Sequence, residues 1–392
     1  LASASAPAEA AIFRGLSRII GGILQVPMGI LGGTFNGPPI LGTVMGAVNG
    51  TFSGVQNVLG GTLDLAGDAF ALAFEADGTR RSASFAYKEG WLANPARFAL
   101  SPDLPLVSGY QYRANKDPAQ SAFFGCFADT EPDGWGRMVI RRDYARQRKE
   151  QGGGQHPAAL LDDFDFLLRV NDFSRAGAIR LRDDRGIFHH PSGSGRDTPA
   201  LIALPHLLSA SRAVEENKET ARDLEYLRGN GTSLGGLRPK CSIIDSDGTL
   251  SIGKFPSVKD TRSIVHGEVL ALNLAAAAGI DAARARVVDS SGVPVAVIRR
   301  FDRLRDKRLM VLSARSLMQA TPAEQHTYVD IATTIRMVSS QAIADLNELW
   351  RRMIFNILIN NVDDHLNNHG FLHHAHGQWK LAPAFDLHPF PD

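Results

Sequence analysis

Two aspartates and an asparagine near the end of the chain have types and spacing that suit phosphoryl transfer. Asp363 is followed five residues later by Asn368, and Asp386 comes eighteen residues after Asn368. Phosphoryl transfer needs a carboxylate that orients the attacking hydroxyl, together with oxygen ligands for magnesium. We therefore expect Asp363 to be the catalytic residue, and Asn368 and Asp386 to hold Mg²⁺. The alternative is a polar turn without chemistry.

The segment before Asp363 predicts a helix that supports it. Apolar residues recur there at helical spacing, and Ser339 and Ser340 are candidate caps. The apolar residues are Ile343, Leu346, Trp350, Met353, Ile357 and Leu358. We expect this face to be packed, which would place Asp363 on a short loop just past the end of a rigid helix.

A second group of candidate residues begins with a glycine-rich loop at 231–240 that contains Ser233, Gly235 and Gly236. The loop lacks the Lys-Ser/Thr pair of a Walker A motif. Two alternating runs after it, joined by a turn at 245–248, predict a hairpin whose return strand carries Lys254. Glu268 then opens an apolar helix.

The order of these elements is that of the small lobe of a protein kinase, where the lysine grips the nucleotide phosphates and pairs with the helix glutamate. Glycine-loop amides would cradle the phosphates. A further strand, 295–303, contains Arg300 and Phe301, and its backbone would meet the adenine at the hinge. Taken singly, Lys254 and Glu268 are better explained as a surface lysine and a first-turn acid. Their order favours a nucleotide site.

The composition describes a globular protein. The chain has 392 residues, a formal net charge of +1, 44% apolar residues and 21% charged residues, and so gives no general basic field for nucleic acid. Cys126 and Cys241 form no disulfide framework, which favours a reducing compartment such as the cytoplasm. We expect three parts: a Gly/Ala-rich extension (1–70), a β-rich subdomain (71–195) and a catalytic domain (196–392).

The extension has no charged residue between Arg18 and Asp64. Gly and Pro interrupt every run that could span a membrane, since a spanning helix needs about 20 continuous apolar residues. Weak association of residues 1–70 with a membrane surface or a partner fits better. A loosely folded extension fits equally well.

Taken together, these motifs resemble the HipA family of serine/threonine kinases, the toxins of bacterial toxin–antitoxin pairs. The resemblance runs from about Phe85 to the end of the chain. It rests on Thr232 to Gly236 with Pro239-Lys240, Gly253 to Pro256, Glu268, Arg300 to Arg303, Asn361 to Phe371, and Leu381 to Asp386.

The resemblance implies an α+β fold in which a β-rich N-terminal subdomain precedes a bilobal, protein-kinase-like domain. It implies that Lys254 binds ATP, that Asp363 is the catalytic aspartate, and that Asn368 and Asp386 bind magnesium. Ser233 would match the loop serine that the family autophosphorylates to switch the kinase off. Family members phosphorylate aminoacyl-tRNA synthetases, and many pair with a small helix-turn-helix antitoxin, through which any DNA contact would be indirect.

Three departures from the family pattern stand out. The chain has Asp133-Gly134-Trp135-Gly136 where family members usually have Pro-Glu-Gly. Family chains continue well past Asp386 with the helices of the C-lobe, so we expect the C-lobe of this chain to be incomplete. Residues 1–70 have no family counterpart. Two other functions therefore stay open: a small-molecule kinase, and an inactive truncated kinase that only binds its antitoxin.

Overall fold

The computed structural model describes residues 56–63, 67–77, 80–115, 120–150, 161–182, 187–188, 203–228, 236–304, 307–321 and 324–390. Within these ranges the chain has the α+β fold that the sequence predicts. It consists of an N-terminal subdomain followed by a small lobe and a large lobe. The predicted domain boundary at 195 lies outside these ranges and stays a prediction.

The N-terminal subdomain is built on a five-stranded antiparallel sheet with the strand order β4-β3-β2-β1-β5. In chain order the strands are β1 (Gln56–Leu63), β2 (Gly67–Asp77), β3 (Arg80–Tyr87), β4 (Tyr110–Asn115) and β5 (Ile179–Arg182). Strands β2 and β3 are adjacent and antiparallel, and they pair from Phe70–Tyr87 to Asp77–Arg80.

The sheet starts earlier than the sequence suggested. Strand β1 pairs with both β2 and β5, although its residues fall in the range assigned to the extension. Residues 1–55 lie outside the described ranges, and so does most of the predicted membrane or partner surface. No helix in the part of the chain that the structure describes is long and apolar enough to cross a membrane.

An aromatic core fills the N-terminal subdomain and continues into the large lobe. The ring of Phe70 lies 5.5 Å from that of Phe85 and 5.1 Å from that of Phe127. The same core includes large-lobe residues, namely Ile331, Ile335, Leu349, Phe371 and Trp379. The described residues of the subdomain also form the helices α1 (Glu89–Ala93), α2 (Gly125–Ala128), α3 (Gly134–Glu150) and α4 (Asp163–Leu168).

The small lobe is a four-stranded antiparallel sheet with the order β6-β7-β9-β8. Its strands are β6 (Lys240–Ile244), β7 (Leu250–Lys254), β8 (Ala285–Ser290) and β9 (Val293–Arg299), and its helices are α5 (Leu204–Glu215), α6 (Ala221–Arg228) and α7 (Ile264–Ala277). The β6–β7 pairing confirms the predicted hairpin that carries Lys254. Helix α3 packs into this lobe, since Trp135 and Val139 share a core with Cys241, Phe255 and Val297.

The large lobe is mainly helical. Its elements are β10 (Arg303–Leu304), β11 (Lys307–Arg308), β12 (Val311–Ser313), α8 (Ala314–Met318), α9 (Tyr328–Val338), α10 (Ala342–Leu358), β13 (Gly370–Ala375) and β14 (Gln378–Leu381). Strands β12, β13 and β14 form one sheet, with β13 in the centre. Strand β13 of this sheet begins directly after the loop that contains Asp363 and Asn368.

The expected packing face of α10 is wrong for four of its six residues, whereas Leu346 packs partly buried against the aromatic core. Ile343, Trp350 and Ile357 are 80%, 61% and 68% exposed, and Leu358 is also exposed. The buried residues of the helix are instead Asp345, Glu348, Leu349, Arg352 and Asn356.

Hydrogen bonds explain why the polar face of α10 can be buried. Asp345 accepts bonds from the Ser339 hydroxyl (2.7 Å) and the Leu381 amide (3.0 Å). Glu348 accepts a bond from the Asp281 amide (3.0 Å) and one from Arg352 (2.9 Å). A buried polar group that is fully bonded avoids the cost of desolvation without a partner. The spacing of apolar residues in a sequence does not show which polar side chains have such partners.

Candidate active site

A buried lysine joins two carboxylates that are far apart in the sequence. The Lys254 ammonium donates hydrogen bonds to Glu268 Oε1 (2.5 Å) and to Asp386 Oδ1 (2.5 Å). The side chains of Lys254 and Glu268 are only 11% and 2% exposed. The structure therefore brings together three of the residues that the sequence singled out.

The opposite charges in this group stabilise the ionised forms of Lys254 and Asp386. Burial lowers the pKa of Lys254, but the negative charges of Asp386 and Glu268 outweigh it and raise that pKa above its ordinary value. Burial raises the pKa of Asp386, but Lys254 and His388 hold it well below its ordinary value. Lys254 and Asp386 are thus an ionised pair at neutral pH.

Each member of the group is held by a different element. Lys254 ends strand β7, and Glu268 lies on the buried face of α7. Because α7 begins at Ile264, Glu268 is in its second turn and does not open the helix as predicted. Asp386 has a φ of 58°, and the chain before it is fixed by Ala384, which bonds to Asp281 O (2.7 Å) and to the Ala283 amide (2.8 Å).

Asp363 and Asn368 are also brought together. The Asn368 side-chain Nδ2 donates to the backbone carbonyl of Asp363 at 2.8 Å. Asn368 is buried, whereas Asp363 is exposed. Among the residues that the structure describes, the Asp363 carboxylate has no hydrogen-bond or ion-pair partner. It is thus free to accept a proton from a bound hydroxyl group.

The neighbouring Asp364 has a different environment, which sequence reasoning missed. Its carboxylate accepts hydrogen bonds from the Tyr328 hydroxyl and from Asn356 Nδ2 (3.0 Å), and it lies 3.1 Å from His369 Nε2. Burial raises the pKa of Asp364, but His369 and these bonds lower it below its ordinary value. Asp364 connects the loop that contains Asp363 to α9 and α10, and a single sequence does not tell which of two adjacent aspartates turns inward.

The chemical types of the proposed donor atoms fit magnesium. Because Nδ2 of Asn368 is engaged with the backbone, its amide oxygen is left as the free donor atom. Asp386 contributes a carboxylate, and carboxylate and amide oxygens are ligands that Mg²⁺ accepts. The ligand atoms of Glu268, Asp386 and His388 lie within 4.8 Å of one another. In this arrangement the Lys254 ammonium lies between the two carboxylates.

Only part of the glycine-rich loop is described. Ser233 and Gly235 lie outside the described residues, so their predicted contacts with phosphate stay predictions. Gly236 has a φ of +93°, and a Cβ on it would lie 2.6 Å from Lys240 Nζ. Lys240 was not singled out as a site residue, yet its side chain is buried beside Gly236. Burial and the nearby Lys254 charge lower its pKa to about 8.

The two hinge candidates differ in where their side chains lie. The Arg300 guanidinium donates to the Asp302 carboxylate (2.8 and 2.6 Å) and to the Ser174 carbonyl (2.6 Å), so it is bound to the N-terminal subdomain. The Phe301 ring lies 5.4 Å from the Phe385 ring, beside Asp386. A contact between this backbone and adenine stays a prediction.

Fold and site together define a bilobal, kinase-like α+β protein. Residues 67–182 match the HipA N-terminal domain, and residues 232–391 match the HipA-like C-terminal domain. The chain belongs to the HipA family.

Two relatives are similar in sequence, and one solved structure is similar in fold. A candidate kinase of Sinorhizobium fredii, Y4mE, is 28% identical over 334 residues, covering 77% of this chain and 71% of the relative. A candidate kinase of Haemophilus influenzae is 26% identical over 187 residues, covering 41% of this chain and 54% of the relative. The Shewanella oneidensis HipA structure, solved with HipB and operator DNA, has a similar fold. Its TM-score is 0.55 at 17% identity, over 84% of this chain and 76% of that one.

Proposed function

We propose that the protein is an ATP- and Mg²⁺-dependent kinase that phosphorylates serine or threonine in another protein. The observation that supports this most strongly is the buried contact of Lys254 with both Glu268 and Asp386. In kinases a lysine that pairs with a helix glutamate binds the nucleotide phosphates, and a nearby aspartate holds the metal. A purely structural ion pair would not require the free Asp363 carboxylate on the neighbouring loop.

Each residue has a proposed role. Lys254, together with the glycine loop at Ser233, Gly235 and Gly236, binds the phosphates of ATP. Asp363 orients the substrate hydroxyl and accepts its proton. Asn368 and Asp386 hold Mg²⁺, which supplies positive charge against the phosphate oxygens when bound. Glu268 fixes the position of Lys254.

We also propose that the kinase is the toxin of a toxin–antitoxin pair and acts in the cytoplasm on a translation component such as an aminoacyl-tRNA synthetase. The Shewanella oneidensis protein of similar fold was solved in complex with HipB and operator DNA. By analogy, the partner of this chain is a helix-turn-helix antitoxin, and any contact with DNA runs through that antitoxin.

Regulation through Ser233 follows from the same proposal. A phosphate on Ser233 would add roughly −1.5 to −2 charge at pH 7. Beside a bound triphosphate, that charge is repelled. The phosphorylated protein is therefore expected to bind ATP more weakly, and Ser233→Ala to stay active longer.

Incubation of the purified protein with radiolabelled ATP, Mg²⁺ and a panel of purified aminoacyl-tRNA synthetases tests the proposal. We expect label on the kinase itself or on a synthetase, at serine or threonine by mass spectrometry, and none with Asp363→Asn. ATP binding without any transfer to protein, for wild type and variant alike, would contradict kinase activity.

A further inference from the structure

The end of the glycine-rich loop is tied to the N-terminal subdomain by two hydrogen bonds that run in opposite directions. The Gly236 amide donates to Asp133 Oδ2 at 3.1 Å, across 103 residues of sequence. The Gly236 carbonyl accepts a bond from the Trp135 amide at 3.0 Å. Both polar backbone groups of Gly236 are therefore bound to the start of α3.

The two segments are in unusually close contact. A Cβ on Gly134 would lie 2.4 Å from a Leu237 methyl carbon and 3.1 Å from the Gly236 carbonyl oxygen. A larger residue at 134 would displace the exposed Leu237 side chain and press on the Gly236 carbonyl oxygen, so the close approach favours glycine there. The segment 133–136 departs from the usual family pattern, and it lies in contact with the end of the glycine-rich loop.

The start of α3 is a rigid support. Trp135 is only 1% exposed and shares the small-lobe core with Val139, Leu204 and Phe255. A loop bonded to this point is held relative to β7, which carries Lys254. The buried Lys240 ammonium is also close to Gly236, since a Cβ on Gly236 would lie 2.6 Å from Lys240 Nζ.

We propose that Asp133 is a positioning residue that anchors the C-terminal end of the glycine loop and thereby strengthens nucleotide binding. This rests on the proposed function, because it assumes that the loop covers ATP. It differs from the sequence expectation for Gly236, whose amide was expected to bind phosphate. In the structure that amide donates to Asp133, so Gly236 contributes to nucleotide binding by fixing the end of the loop.

Asp133→Ala tests the anchor, with Glu216→Ala as the matched control. Glu216 is an exposed acid at the end of α5 whose carboxylate pairs with Lys218. Removing a hydrogen bond to a charged acceptor at an exposed position is expected to weaken ATP binding by about three- to tenfold. The measurement is calorimetric titration with Mg²⁺ and a non-hydrolysable ATP analogue. Asp133→Glu is expected to recover part of the loss, because it restores a carboxylate.

Hydrogen–deuterium exchange without nucleotide gives a second readout. The peptides containing Trp135 and Gly236 are expected to exchange faster in Asp133→Ala than in wild type, and to be unchanged in Glu216→Ala. Thermal unfolding checks that all variants are folded.

The results of these experiments distinguish a failure of the proposed Asp133 anchor from a failure of the proposed kinase function. If wild type fails to bind nucleotide, the proposed function is contradicted, while exchange still tests the anchor. Unchanged exchange and unchanged affinity in Asp133→Ala would overturn the anchor. Tighter binding in Asp133→Ala would also overturn it, because Asp133 would then compete with the phosphates for the Gly236 amide.

Discussion

Asn368 donates its side-chain amide to the backbone carbonyl of Asp363, so the proposed metal ligand fixes the backbone of the proposed catalytic residue. The bond spans five residues and leaves two groups free: the Asn368 amide oxygen and the Asp363 carboxylate. One short loop thereby presents a metal donor and a base together.

The adjacent pair of aspartates provides a sharp test of the catalytic assignment. Asp363→Asn is expected to reduce phosphate transfer by at least about 100-fold, because general-base catalysis contributes roughly 10²–10⁴-fold. ATP binding should change little, since the exposed Asp363 carboxylate bonds to no other described group. Steady-state phosphorylation and calorimetric ATP titration measure the two effects.

Asp364→Asn is the matched control. It is expected to lower the melting temperature by a few degrees, because it weakens a buried acceptor of bonds from Tyr328 and Asn356, worth about 1–3 kcal/mol. Equal effects of the two substitutions on stability, or normal transfer in Asp363→Asn, would reject the assignment.

Several local elements of the site could be predicted from the sequence. Alternating runs around a turn identified the hairpin that carries Lys254, and apolar periodicity identified the helix that carries Glu268. These signals are local, because neighbouring residues in one strand or helix decide them. The order of the elements then indicated that Lys254, Glu268 and Asp386 would meet.

The features that the sequence did not predict depend on contacts between distant parts of the chain. The buried face of α10 carries Asp345 and Glu348, whose bonding partners, Leu381 and Asp281, lie in other segments. The Asp133 contact with Gly236 spans 103 residues. Spacing within a single sequence contains no information about such pairs.

Magnesium dependence tests the role of Asp386. Asp386→Asn is expected to raise the Mg²⁺ concentration needed for half-maximal transfer by at least about tenfold, because a neutral amide replaces a charged oxygen ligand. Chelation of Mg²⁺ should abolish transfer in wild type. The measurement is a magnesium titration of the initial rate at fixed ATP.

His388→Gln is the comparison variant, because His388 lies 3.0 Å from Asp386 Oδ1 without supplying an oxygen ligand. We expect His388→Gln to raise the Mg²⁺ concentration needed for half-maximal transfer less than Asp386→Asn does. If Asp386→Asn left the magnesium dependence unchanged, Asp386 would not be a ligand.

Asp302 is expected to be essential for the junction between the N-terminal subdomain and the hinge. Its buried carboxylate binds Arg300 and Arg303 (2.6 and 2.7 Å) and the Gly177 amide (2.8 Å). Burial raises its pKa, but the two arginines reverse this and hold the pKa far below its ordinary value. Asp302→Asn removes the negative charge that the Arg300 and Arg303 guanidinium groups share, and breaking a buried ion pair costs about 3 kcal/mol or more.

Thermal unfolding measures this effect as a melting temperature lower by several degrees. Asp247→Asn is the control, because Asp247 is exposed and lies 3.6 Å from Arg299, and exposed pairs contribute little. Similar melting temperatures for the two variants would show that the Asp302 network does not stabilise the junction.

Glu131 is expected to make stability depend on pH. Burial and the neighbouring Asp163 charge raise its pKa from 4.5 to about 8, against the opposing effects of Ser121, Arg137 and Arg81. The folded state therefore holds a proton that the unfolded state releases above about pH 4.5. Since the folded state binds more protons in this range, stability falls as pH rises from about 4.5 to about 8 and then levels off.

Glu131→Gln keeps the shape of the side chain and cannot ionise. We expect its melting temperature to decline less than that of wild type between pH 5 and pH 8, and to exceed it by a few degrees at pH 8. Glu225→Gln, a change of an exposed acid on α6, should follow the wild-type profile. Parallel profiles for wild type and Glu131→Gln would mean that Glu131 is already ionised across this range, with its charge compensated by Arg137 at 3.3 Å.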